Sequence, residues 1–125
     1  MKKATKELLL ERATKNAEGS KYRDYPCEFI GMTLTVKRLP LAQVCGMFDA
    51  LGNATTADSL ELYKELIYKS VPLFKDEDLL REYNCIEPYD IVTAVFDDNL
   101  GEMTKIVNFI LEFYGLDGIE DDVKN

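Results

Sequence analysis

Apolar positions recur at helical spacing over most of the chain and alternate at period two in one passage. From Lys3 to Glu18 good helix formers dominate and Gly19 follows as a stop, which predicts an N-terminal helix with Leu8, Leu9, Ala13 and Ala17 on its apolar side. That stripe is narrow, so the helix is expected to dock loosely or to wait for a partner, because packing supplies most helical stability. Ser20 to Pro26 is polar, carries Tyr22 and Tyr25, and reads as a linker or arm with the residue before Pro26 extended. Beyond it, Met32, Leu34 and Val36 alternate with Thr33, Thr35 and Lys37, and Gly31 is placed to turn the chain. This predicts a two-stranded hairpin over 25–39. An isolated hairpin is marginal in water, so this one must pack on helices or add to another sheet edge.

After Pro40 the period is helical throughout. Pro40 suits a helix first turn, and Leu41, Val44, Cys45, Phe48 and Leu51 follow at three- and four-residue spacing until Gly52-Asn53. A second helix is expected from Asp58, with Glu61 completing a weak capping box and Leu60, Tyr63, Leu66, Ile67 and Val71 facing inward until Pro72 stops it. Asp76 caps a short helix carrying Leu79, Leu80 and Tyr83, with Asn84 as its left-handed terminator. Pro88 starts another, with Ile91, Val92 and Val95 inward. Asn99 with Glu102 opens the last helix, whose stripe runs Leu100, Met103, Ile106, Val107, Ile110, Leu111 and Tyr114 before Gly115-Leu116 closes it in a Schellman-type cap. The expected fold is mainly α, a helical domain of five to six helices with one N-terminal β-hairpin. One domain spans 1–125: a helical arm (1–24), the hairpin (25–39), a helical core (40–116) and an acidic tail (117–125) that should fray.

A chain of 125 residues buries roughly two-thirds of the surface its unfolded form exposes. Its net charge of −8 disfavours a free-standing nucleic-acid binder, which needs cations for phosphates. The charge is unevenly placed. Residues 1–74 hold 11 Lys plus Arg and 9 Asp plus Glu, a balance of +2, whereas residues 75–125 hold 4 and 14, a balance of −10. A mildly basic arm and hairpin and an acidic helical part therefore invite head-to-tail association into a homo-oligomer. The start has a basic region, but its apolar run is only Leu8 to Leu10, so it does not read as a signal peptide. No stretch approaches the roughly 18 apolar residues of a membrane span. No membrane partner is expected, and the chain is placed in a cytoplasm.

Chemistry-bearing patterns are sparse. There is no histidine, which removes the usual general base and zinc ligand. Cys27, Cys45 and Cys85 are far apart, with no CxxC pair, and sit beside apolar neighbours, as reduced core thiols do; one disulfide plus a free thiol is the arithmetic alternative. The clusters Asp76-Glu77-Asp78 and Asp97-Asp98 are read as acids at helix starts, where they stabilise the dipole. Asp117 to Asp122 lacks the ligand alternation of a calcium loop. No phosphate-binding or nucleophile-elbow glycine motif occurs. No catalytic residue, cofactor or metal is expected, and the chain is read as a non-enzyme.

What remains are surfaces for partners. Tyr22, Tyr25, Leu73 and Phe74 are apolar or aromatic residues in predicted connections, which together suggest a contact surface. On the last helix, Phe113 lies at the edge of the core arc and Phe109 outside it, on the flank of Glu102 and Lys105. Phe109 either widens the buried face or presents an aromatic to a partner.

The order of these features is itself distinctive: a helical arm, a hairpin ending Leu34-Thr35-Val36-Lys37-Arg38-Leu39-Pro40, two helices, then Val71-Pro72-Leu73-Phe74-Lys75-Asp76-Glu77-Asp78-Leu79-Leu80-Arg81-Glu82-Tyr83. Glu87-Pro88-Tyr89-Asp90-Ile91-Val92 follows, and the terminal helix ends Ile110-Leu111-Glu112-Phe113-Tyr114-Gly115-Leu116-Asp117. Over about Cys27 to Asp117 this resembles the phage tail assembly chaperones of the XkdN-like group, although the arm departs from the pattern. The resemblance implies a non-enzymatic protein of the bacterial host cytoplasm, absent from the mature virion. Its partners are the tape measure protein, which such chaperones keep soluble, and the tail tube protein, which they recruit. The competing reading from the residues is an acidic regulatory or decoy protein that binds a basic site on its partner. Charge-driven binding of that kind weakens steeply with salt.

Overall fold

The computed structural model of the chain describes residues 1–19, 21–49 and 55–116, with the side chains of residues 16–19 left aside. Among these residues the fold is mainly α, with six α-helices and one antiparallel hairpin: α1 (Lys6–Gly19), β1 (Tyr22–Cys27), β2 (Met32–Lys37), α2 (Leu41–Asp49), α3 (Thr56–Ser70), a 3₁₀ turn (Pro72–Lys75), α4 (Glu77–Glu82), α5 (Asp90–Val95) and α6 (Leu100–Glu112). The expected stop at Gly52-Asn53, the inward Leu51, Ser20 of the linker and the acidic tail 117–125 lie outside the described residues.

The core forms where α6 and α5 pack on α3, with the 3₁₀ turn and α2 also against α3 and the 3₁₀ turn alongside β2. Leu66 and Ile67 of α3 meet Ile106, Val107, Ile110 and Leu111 of α6 in one buried cluster that also holds Val36, Val44, Ile91 and Val92. Burying each such side chain contributes about 1.5–3 kcal/mol relative to exposure. The α6 stripe is buried as expected, except that Leu100 stays exposed and Tyr114 is half-buried. Its end is a Schellman cap: Leu116 N–H donates to the Leu111 carbonyl at 3.0 Å and Gly115 N–H to Glu112 at 3.3 Å, with Gly115 at φ 68°. Asn99 Oδ1 accepts from Glu102 N–H at 3.1 Å at the other end.

The hairpin begins three residues earlier than expected, at Tyr22, and Glu28–Gly31 is its turn rather than part of a strand. Tyr22 pairs with Lys37 and Cys27 with Met32. Arg38 N–H donates to the Lys21 carbonyl at 2.7 Å, which sets the phase of the ladder. Arg23, Tyr25 and Cys27 therefore exchange bonds with β2, while the backbone groups of Tyr22 and Asp24, and the proline ring of Pro26, face the open edge. Pro26 costs no ladder bond there, so a residue that looked like a linker signal is compatible with an edge strand. At the turn, Gly31 N–H donates to Glu28 at 3.1 Å, and Gly31 at φ 68° takes the left-handed conformation that reverses the chain.

Four smaller expectations are corrected. α1 ends at Gly19 as expected but starts at Lys6 rather than Lys3, and of its stripe Leu9 and Ala13 are exposed and Leu8 half-buried, because so narrow a stripe gains little from docking, while the Ala17 side chain lies outside the described residues. α3 is capped by Thr55 rather than Asp58: Thr55 Oγ1 accepts from Asp58 N–H at 3.2 Å while Asp58 Oδ2 accepts from Thr55 N–H at 3.1 Å, a complete capping box. That start brings Leu62 into the core and leaves Leu60 half-buried. In α2, Met47 is buried while Leu41 is exposed. Asp97 and Asp98, at φ 50° and 57°, form the left-handed connection from α5 to α6 and do not occupy a first helical turn. Asp76 does cap α4, its Oδ1 accepting from Asp78 N–H at 2.9 Å and Leu79 N–H at 3.2 Å, and Asn84 closes that region at φ 55°. No described helix is long and apolar enough to cross a membrane.

Candidate interaction surface

The inner face of the hairpin carries Arg23, Tyr25 and Cys27 from β1, opposite Val36, Leu34 and Met32 from β2. Tyr25 reaches α6 and its ring lies 5.1 Å from Phe109, which lies 6.3 Å from Phe113, itself 6.1 Å from Tyr114. Two cations cover this row: Arg23 is 4.4 Å over the Phe113 ring and Arg38 is 5.6 Å over Tyr114. Leu39 N–H donates to the Tyr114 hydroxyl at 2.7 Å. Aromatic pairs contribute about 0.5–1.5 kcal/mol each beyond area and exposed cation–π contacts about 0.5–1 kcal/mol. The row is thus a clamp that fixes the hairpin to the last helix. Burial pushes the Tyr25 and Tyr114 hydroxyls above the ordinary tyrosine value. Sequence reasoning singled out Tyr25, Phe109 and Phe113, which the fold brings together, but missed Arg23, Arg38 and Tyr114 as their partners. The alternation of residues 23, 25 and 27 was the signal, weakened by only Cys27 being fully buried among them.

The other candidates lie apart from this row. Tyr22 is on the outer face of the hairpin, 48% exposed, across from Lys37. Leu73 and Phe74 split: Leu73 is 56% exposed, whereas Phe74 is a core residue set edge-on to Phe96 at 6.5 Å. Phe74 therefore has no surface to offer, and Phe113, also buried, offers little. The hairpin tip supplies two apolar residues that the sequence did not mark: Phe29, 40% exposed, and Met32, 62% exposed. Met32 lines a shallow recess of about 260 Å³ together with Pro26, Cys27, Glu28, Gly31 and Thr33. Met32 belongs to the inward-facing set of β2, but its position at the strand start carries it past the edge of the core.

A second concavity, about 580 Å³, opens between α2 and α3 with Met47 and Leu62 in its lining. Asp58, Glu61 and Glu65 rim it from one face of α3, with Gln43, Gly46 and Tyr89 completing the lining. Glu65 pairs with Lys69 at 2.9 Å, Glu61 approaches Lys64 at 3.5 Å, and Asp58 is held in the α3 cap. Lys64 is drawn more closely to Asp90 at 3.1 Å. Glu87 N–H and then Lys64 hold the Asp90 carboxyl below the usual carboxylate range. No cluster of three metal-ligating side chains occurs among the described residues, and Cys27, Cys45 and Cys85 are free thiols rather than a disulfide plus one. No protein-family model, curated protein or solved structure matches the chain.

Proposed function

We propose that the chain is a non-enzymatic phage or prophage tail assembly chaperone that binds the tape measure protein and helps recruit tail tube subunits. The observation that carries this reading is apolar surface left over by a closed core. Phe29 and Met32 at the hairpin tip and Leu73 on the 3₁₀ turn stay exposed, although α3, α5 and α6 already bury a complete interior. Residues of this kind at a surface serve as anchors for a partner. A protein that keeps a long helical client soluble needs such anchors on a frame that is itself well solvated, and the net charge of −8 supplies the solvation. The order of elements, from hairpin through the Pro72-led turn to the Gly115 cap, is the order on which the resemblance to the XkdN-like group rests. Work in the host cytoplasm and absence from the finished particle belong to the same proposal.

The test is co-expression with a segment of a phage tape measure protein. The segment is expected to stay soluble and to co-purify, and Met32→Ser with Leu73→Ser is expected to return it to the pellet. A segment that remains insoluble in the presence of the wild-type chain removes the client assignment.

A further inference from the structure

We infer that the open end of the hairpin is a docking site for an acidic segment, and that its occupant is the chain's own residues 117–125, folded back from the end of α6. This goes beyond the client reading and does not depend on it.

The receiving surface is a set of cations gathered by the strand register. Arg38 N–H donates to the Lys21 carbonyl, so Lys21 and Arg38 form the next bonded pair beyond the ladder and share the inner face with Arg23. Arg23 pairs with Val36, which makes Arg38 its diagonal neighbour at about 7–8 Å. All three cations are exposed, and none enters an ion pair among the described residues. Arg23 and Arg38 lie over the Phe113 and Tyr114 rings, but stacking uses the flat face of a guanidinium and leaves the N–H groups around its edge to donate.

Their surroundings do not neutralise them. The end of the α6 dipole is worth about half a negative charge, and Glu112 is the one acid of that last turn. Asp24 belongs to the opposite face of the hairpin, where its Oδ1 accepts from the Thr35 hydroxyl at 3.2 Å. Lys21, Arg23 and Arg38 thus keep a surplus of more than one full positive charge.

The complement begins beside them. The Schellman cap turns the chain out of α6 at Leu116, two residues past Tyr114. Residues 117–125 then carry Asp117, Glu120, Asp121 and Asp122 against Lys124 alone. At no more than about 3.5 Å per residue, Asp117 lies within about 10.5 Å of Tyr114 and Asp122 within about 28 Å, so each of these acids can reach the two arginines. So short a tether holds the acids near the patch at an effective concentration of roughly millimolar order, above that of a second copy in dilute solution. Composition alone predicts fraying for this tail; the countercharge beside its first residue opposes it, and part of the sequence's charge imbalance is met within one copy.

NMR of the arginine Nε–Hε groups in the full chain tests this. A variant with Glu120→Gln, Asp121→Asn and Asp122→Asn neutralises most of the tail and leaves the α6 cap and the aromatic row untouched. At about 0.1 M salt it is expected to differ from the wild type in the Hε shifts of Arg23 and Arg38, and at about 1 M, where the Debye length falls to about 3 Å, the two proteins are expected to coincide. Arg12 on α1 and Arg81 on α4, the latter paired with Asp78, are expected to stay in place. The wild-type shifts are expected to be unchanged on tenfold dilution, as a contact within one copy requires. Identical Arg23 and Arg38 shifts in the two proteins, equal movement at Arg12 and Arg81, or shifts that vary with dilution overturn the inference, the last by placing the tail on a second copy.

Discussion

Replacing Tyr114 by Phe tests the clamp between hairpin and α6 at a single atom. The substitution removes the hydroxyl that accepts from Leu39 N–H at 2.7 Å and keeps the ring beside Phe113 and under Arg38. A lost hydrogen bond costs about 1 kcal/mol net, and the half-buried Leu39 N–H is left without its partner, so a loss of about 1–2 kcal/mol is expected. For a chain of this size that lowers Tm by about 4–8 °C. Tyr114→Ala also deletes the ring and should cost about 3 kcal/mol or more. Urea unfolding followed by circular dichroism reads both, with the midpoint moving and the slope unchanged. Hydrogen exchange should quicken at the Leu39 amide, about tenfold for each 1.4 kcal/mol of local stability lost. There is also a pH signature. Burial raises the folded Tyr114 pKa above its ordinary 10.0, against the pull of the Leu39 N–H and Arg38. Its contribution is therefore full below about pH 10 and is lost as pH rises through the folded value, so the gap between wild type and Tyr114→Phe should narrow in that range. An unchanged midpoint with unchanged Leu39 exchange, or a Phe variant as unstable as the Ala variant, refutes the clamp.

Ser70 is fully buried and its Oγ has no hydrogen-bond partner, so Ser70→Ala should be neutral or stabilising by up to about 1 kcal/mol in urea unfolding. Asp76→Ala removes the acceptor of two N–H groups at the start of α4 and should cost about 1 kcal/mol by the same assay. Asp90→Asn removes the negative charge and one of the two oxygens that accept from Lys64 and Glu87 N–H, so the variant should be less stable than wild type at neutral pH. The stability Asp90 adds is present above its unfolded pKa and lost as pH falls through the folded value; an acid titration of stability should show the two proteins converging there.

How far these features could be read in advance depends on how much each rests on local pattern. α6 was legible because a broad stripe, an Asn cap and a Gly-Leu ending agree with one another. The Asp76 cap and the break at Pro72 were legible for the same reason, since backbone chemistry acts within a few residues. β1 was not, because its inward residues include Arg23, whose cation is covered by Phe113 only after α6 has packed. Asp58 was the expected start of α3, and Thr55 takes the cap instead through the reciprocal bond that a side chain at the third helical position can complete. Of the surface candidates, Tyr25, Phe109 and Phe113 became one row, Phe74 went into the core, and Phe29 and Met32 emerged at a turn whose position depends on strand register. The α2–α3 groove depends on how two consecutive helices pack and on Tyr89, which is distant in sequence, and no local pattern announces it.

Calorimetric titration of the full chain into a soluble tape measure segment, at several temperatures and at about 0.1 M and 1 M salt, tests the central claim most directly. Apolar anchoring predicts binding with a negative heat-capacity change that survives the higher salt and is lost with Met32→Ser and Leu73→Ser. No binding, or binding that disappears at about 1 M salt as a charge-driven acidic decoy would show, contradicts it.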